Sequence, residues 1–239
     1  MGRLFLVRHA QASFLSQNYD QLSTLGEKQA SLLGAYWAHR NVVFDRVCTG
    51  PALRHQHTAQ LVSDAYRKAG RNFPSPTIAA EFDEFQGEAV LSESLPQLLA
   101  GNSRIRELHR ALESAGDDVT KRANFQHLFE VVISMWVSGD ITPPTAESWW
   151  HFCARVNRGL SAFLVKSRKG EIAVIFTSGG PISVAVQRAL HLSAQDTLRV
   201  AWVSRNCSYS EFLFSGERFM LSSFNSFSHL DDESLITYR

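Results

Sequence analysis

A chain of 239 residues accommodates one α/β domain with a sizeable insertion, or two small domains. Its 44% hydrophobic and 20% charged residues suit a globular enzyme, and a formal net charge of +1 gives no general attraction to nucleic acid, so any anion binding must come from a local cluster. Three scattered cysteines, Cys48, Cys153 and Cys207, lack metal-ligand spacing and suit free thiols in a reducing compartment.

Arg8 breaks the first apolar run, which argues against a signal peptide, and no segment approaches the length that crosses a bilayer. The expectation is a cytoplasmic protein without a membrane partner. Leu4, Phe5, Leu6 and Val7 form a short apolar run that reads as a buried strand. It ends in Arg8-His9, and ligands of parallel α/β sheets sit just past the carboxyl ends of strands. Arg8 and His9 are therefore a candidate anion site, the alternative being the polar exit of a strand.

Residues 14–22 read as a loop. Ser23-Thr24 followed by Glu27 predicts a helix start, and the helix runs to about Ala38. Val42 to Cys48 gives a second strand, and Pro51 opens a second helix that Gly70 stops. Arg54 falls in the first turn of that helix, within reach of the edge that carries His9. Two successive β-then-α units predict a parallel sheet with right-handed crossovers. Residues 77–80 make a short strand, and Glu81-Phe82-Asp83-Glu84-Phe85 follows as an acidic segment.

From about 86 to 143 the pattern turns purely helical, and this insertion is expected to lie over the site as a lid, with a packing excrescence as the alternative. A helix restarts near Thr145 and carries Trp149, Phe152, Val156, Leu160 and Phe163 as an apolar stripe. Ile172 to Phe176 is the clearest buried strand, followed by Thr177-Ser178-Gly179-Gly180-Pro181 and a helix over about 182–190. Glycines at such a junction let backbone N–H groups approach an anion. Residues 208–214 and 218–224 read as a hairpin joined through Ser215-Gly216. The basic run Lys166 to Lys169 reads as a helix C-terminus, and Arg104, Arg106 and Arg110 as a solvated helix face, with attraction of an anionic substrate as the alternative.

Strand ends and helix starts thus offer Arg8-His9, Arg54, Glu84 and Ser178 with its glycines to one edge. Paired guanidinium donors suit a phosphate. A histidine beside them can take the phosphoryl group covalently, while a carboxylate protonates the leaving oxygen and then activates water. Neither a Walker loop nor a CxxC pair nor an HExxH helix is present to support other phosphate or zinc chemistry.

The segments LVRHAQAS, YDQLSTLGEKQASLLG, CTGPALRHQHTAQL, IFTSGGPI and FNSFSHL, in that order, resemble the histidine phosphatase (phosphoglycerate mutase-like) superfamily. Glu147-Ser148 and Arg155-Val156 extend the resemblance, which covers most of the chain outside the insertion. It implies a three-layer α/β/α sandwich with a mainly parallel sheet. It also implies metal-independent phosphomonoester hydrolysis without a cofactor, on a small phosphorylated metabolite. By the same resemblance His9 is the phosphorylated nucleophile, and Arg8 and Arg54 hold the phosphate. Glu84 is the acid/base carboxylate, with Glu81, three residues before it, as second choice. Gln11 and Ser13 stand where the family lines its pocket, although capping a loop is an equal reading of both.

One position departs from the pattern. Ser178 stands where the family carries a second histidine, leaving a neutral hydroxyl and the N–H groups of Gly179 and Gly180 in its place. His229 is a possible substitute, with a packed or exposed tail histidine as the alternative, whereas His55 and His57 read as surface or packing residues. The departure leaves two further readings open: a phosphoglycerate mutase, or a catalytically weak phospho-ligand-binding scaffold. Oligomeric state is not legible in the sequence, a homodimer being one possibility.

Overall fold

In a computed structural model of the chain, residues 1–12 and 20–238 are described. Six strands form one sheet in the order β3-β2-β4-β1-β5-β6. β1 (Gly2–Arg8), β2 (Arg46–Thr49), β3 (Thr77–Ile78) and β4 (Ile172–Thr177) pair in parallel, while β5 (Tyr209–Ser215) and β6 (Arg218–Ser226) are antiparallel additions. The sheet is mixed and mainly parallel, an α/β fold as expected. β1 lies between β4 and β5, and Leu4, Phe5, Leu6 and Val7 are all buried, so both faces are covered, which explains why its sequence is continuously apolar. Phe5 and Val7 join Val174 and Phe176 in a core beneath α1 (Thr24–His39) and α2 (Leu53–Lys68), while Leu4 and Leu6 are buried on the opposite face.

Several boundaries differ from the sequence reading. Residues 42–45 are a loop preceding β2, because Asp45 accepts from the Ile172 N–H and the Val42 carbonyl accepts from the Tyr66 hydroxyl. Phe44 nevertheless enters the core, edge-on to Phe5 and Trp37. α2 starts two residues beyond Pro51, and Asp20, remote in sequence, accepts from the Leu53 and Arg54 N–H groups. Only residues 77–78 of the third strand pair, at the sheet edge. α7 (Gly179–Leu190) begins directly after Ser178. A helix absent from the sequence reading, α8 (Ala194–Val203), is capped by Ser193, whose Oγ accepts from the Asp196 N–H.

The chain divides into two compact units, residues 1–84 with 154–239, and residues 85–153. The first contains the whole sheet. The second holds α3 (Gly87–Gly101), α4 (Ser103–Glu113) and α5 (Asp118–Ser138), and begins one residue before and ends ten beyond the anticipated insertion. Within it Trp136 lies 5.3 Å from Phe85 and 5.5 Å from Trp149, ring centre to ring centre. Asn102 and Asp117 cap α4 and α5, and Gly139 ends α5 in the left-handed region. Helix α6 (Trp149–Val165) starts in this unit and continues in the first. No helix among the described residues is long and apolar enough to cross a membrane.

Candidate active site

The carboxyl ends of β1 and β4 lie side by side, with Arg8 opposite Thr177 in the ladder. The His9 N–H donates to the Thr177 carbonyl at 2.8 Å, carrying the pairing one residue past the strand. From the other side, the loop 204–208 holds the same dipeptide. The Cys207 N–H donates to the His9 carbonyl at 3.1 Å, the Arg8 N–H donates to the Ser208 carbonyl, and Arg8 Nη1 donates to the Ser204 carbonyl. Cys207 has φ +57°, a left-handed conformation that a non-glycine residue adopts only where its surroundings demand it. A third tie comes from α2, where Thr58 Oγ1 accepts from the Ala10 N–H at 3.1 Å while donating to the Arg54 carbonyl. Arg54 and Thr58 are thereby joined to the end of β1.

His9 is buried, and its Nδ1 sits 2.8 Å from the Ala10 carbonyl oxygen. A carbonyl can only accept, so Nδ1 carries the hydrogen and Nε2 keeps its lone pair. Burial above all, then the charges of Arg8 and Arg54 and the neighbouring His55, hold the His9 pKa well below the usual histidine value. The ring is therefore a neutral imidazole beside two cations, which is the form that can attack phosphorus. Arg54 is oriented by Asp20, whose Oδ1 lies 2.7 Å from Arg54 Nη1. Asp20 was not picked out from the sequence, and no local pattern marks a cap supplied from that far away.

The acidic segment is fixed to the same edge. Thr177 Oγ1 donates to the Phe82 carbonyl at 2.6 Å, and Arg155 Nη1 on α6 donates to the carbonyls of Ala80, Glu81 and Asp83 at 3.0–3.2 Å. Beyond this clamp, Glu84 Oε2 accepts from the Gly180 N–H in the first turn of α7, 3.1 Å away. Glu81 is exposed and turns elsewhere: a Cβ on Gly159 of α6 would stand 2.5 Å from its Cβ. Between the two carboxylates, Glu84 is the one beside Ser178 and its glycines. Gly179 is buried next to Arg8, whose Nε would lie 3.9 Å from a Cβ at that position.

The remaining sequence candidates fall differently. Gln11 is engaged with the start of α1, its Oε1 accepting from Ser23 Oγ at 2.7 Å and its N–H donating to Gln29 Oε1 at 2.9 Å. That is the loop-capping arrangement. Ser13 lies outside the described residues. His229 packs with its ring centre 6.1 Å from that of Tyr36 and 6.3 Å from that of Tyr209. The residue missed by sequence reasoning is His55. It is neither on the surface nor in simple packing: it is fully buried, 5.7 Å from His9 between ring centres, and its Nε2 lies 2.6 Å from Ser178 Oγ. The available signal was its place directly after Arg54, at the start of a helix aimed at the strand ends.

The sequence profile of the histidine phosphatase superfamily (branch 1) matches residues 4–87 and 104–226 of this chain. The chain belongs to that family. The match runs through α4 and α5, so only 88–103, nearly all of α3, falls between its two matched parts. No curated protein matches the sequence. Among solved structures, a mycobacterial glucosyl-3-phosphoglycerate phosphatase with inorganic phosphate superposes with a TM-score of 0.61 at 20% identity, covering 96% of this chain and 99% of that one. A phosphoglycerate mutase from Bacillus anthracis gives 0.61 at 15% identity, with 96% and 95% covered. The alpha-ribazole phosphatase from Shigella flexneri gives 0.59 at 18%, with 94% and 96% covered. At these identities the likeness speaks for the fold alone.

Proposed function

We propose that this protein hydrolyses phosphomonoesters of small metabolites through a phosphohistidine at His9, without a metal ion. The observation that carries the reading is the hydrogen bond from His9 Nδ1 to the Ala10 carbonyl, which leaves Nε2 as the free nucleophilic atom beside Arg8 and Arg54. In the first half-reaction Nε2 attacks phosphorus in line with the ester oxygen. The N–P bond forms as the P–O bond breaks, the Glu84 carboxyl gives its proton to the leaving oxygen, and the two guanidinium groups hold the non-bridging oxygens. In the second, the Glu84 carboxylate takes a proton from water, the water oxygen attacks phosphorus, and the P–N bond breaks to release inorganic phosphate. The three free cysteines agree with a cytoplasmic setting.

The test is hydrolysis of an aryl phosphate in the presence of a chelator, together with detection of an acid-labile phosphohistidine on the protein. Turnover that disappears in His9→Ala supports the proposal. Transfer of the phosphoryl group to a second alcohol in preference to water would make the protein a mutase. Absence of both turnover and phosphohistidine would leave a phospho-ligand-binding protein and end the hydrolase reading.

A further inference from the structure

The contact between His55 and Ser178 joins two elements at the floor of the site, and its protons can be assigned. His55 Nε2 and Ser178 Oγ are 2.6 Å apart, and both residues are buried. His55 Nδ1 is buried without a hydrogen-bond partner among the described residues. Either tautomer leaves one buried hydrogen without a protein partner, on Nδ1 or on the serine oxygen, but only the serine hydroxyl stands at the strand end beside the Gly179 and Gly180 turn, where a bound anion can take it. The hydrogen then belongs on Nε2, and it donates to Ser178 Oγ. With that bond made, the Ser178 hydroxyl hydrogen is free, and Ser178 Oγ has no other partner among the described residues. The reverse arrangement, with Ser178 donating to His55 as a serine nucleophile would, requires the orphaned Nδ1–H and has no third group to orient the ring.

Ser178 occupies the position between the end of β4 and the start of α7, with Gly179 beside Arg8 and Gly180 beside Glu84. We propose that His55 and Ser178 form a single neutral donor, in which His55 Nε2–H holds the serine oxygen so that the serine hydroxyl donates to a phosphoryl oxygen bound against His9. The proposal rests on the phosphoryl-transfer reading of the site. Ser178 touches the substrate and is catalytic; His55 acts through it and is a positioning residue. The backbone has made room for this ring: a Cβ on Gly50 would stand 2.4 Å from His55 Nδ1 and 2.5 Å from the Phe82 carbonyl oxygen. Burial first, and then the charge of Arg54, keep His55 uncharged, in accord with a neutral relay.

The experiment is a mutant cycle on kcat/KM for an alkyl phosphate, with inorganic phosphate affinity measured calorimetrically on the same proteins. Ser178→Ala and His55→Ala are each expected to lose about 10²–10³-fold, the usual effect of deleting one transition-state donor. The double variant is expected to lose no more than the worse single one, because only one hydrogen bond to substrate is at stake. His55→Gln, which places a neutral N–H near the Nε2 position, is expected to recover most of the His55→Ala loss. Independent, multiplying losses, or a glutamine variant as impaired as alanine with an unchanged melting temperature, would overturn the relay. If wild type shows no turnover, the phosphatase reading fails, and weaker phosphate binding by Ser178→Ala but not His55→Ala would still dismiss the pair.

Discussion

Hydrogen bonds set each group in the site, and the consequences can be read residue by residue. In the proposed reaction the neutral imidazole of His9 is the reactive form, and burial with two flanking cations keeps it neutral to lower pH than a free histidine. The acid limb of kcat/KM that reports His9 is therefore expected below pH 6.5, the ordinary histidine value, and a limb at or above 6.5 would contradict the environment described. Glu84→Gln is expected to slow an alkyl ester more than an aryl ester, since only the poor leaving group needs its proton. Glu81→Gln should change neither; slowing confined to Glu81→Gln would move the acid/base role to that residue. The sequence made His9, Arg8 and Arg54 legible because a strand end and a helix start are short-range signals. His55 stayed hidden because an HQH string on a helix looks the same whether the first ring faces solvent or a serine more than a hundred residues away.

At the scale of elements, the site depends on clamps supplied from elsewhere in the chain. Arg155 ties three carbonyls of the turn that carries Glu84. Arg155→Ala is expected to reduce kcat for an alkyl ester by tenfold or more while KM changes little, and a change in KM alone would argue against a positioning role. Asp20 holds both the first turn of α2 and the Arg54 side chain. Asp20→Ala should cost about 1 kcal/mol as a lost cap and raise KM for phosphate esters, by thermal melt and by kinetics respectively. Neither clamp has a local signature, unlike the Ser23 cap of α1, which the sequence did reveal. Helix α8 shows a different failure: its Ser193 and Asp196 cap was present in the sequence, but no strong apolar stripe followed to draw attention to it.

For the molecule as a whole, three buried histidines, His9, His55 and His229, are held neutral by the fold, His229 with its pKa pushed down to about 4. In the unfolded chain each takes up a proton near pH 6.5, so the unfolded state binds more protons as pH falls below that value. Stability is expected to be unaffected by these groups above pH 6.5 and to fall as pH drops from 6.5 toward 4, with His229 alone worth about 3 kcal/mol at the lower end. Urea unfolding at several pH values checks this, and His229→Phe should flatten the slope; equal slopes would place the acid sensitivity elsewhere. The central place of β1 has one more consequence, for how the protein comes into being. β1 is synthesised well before both its sheet neighbours, which come with residues 172–177 and 209–215. Until the ribosome has delivered them, β1 has two unpaired edges and nothing to hold its arginine and histidine in place. A nascent or prematurely ended chain therefore cannot assemble the site and is the form most in need of a chaperone.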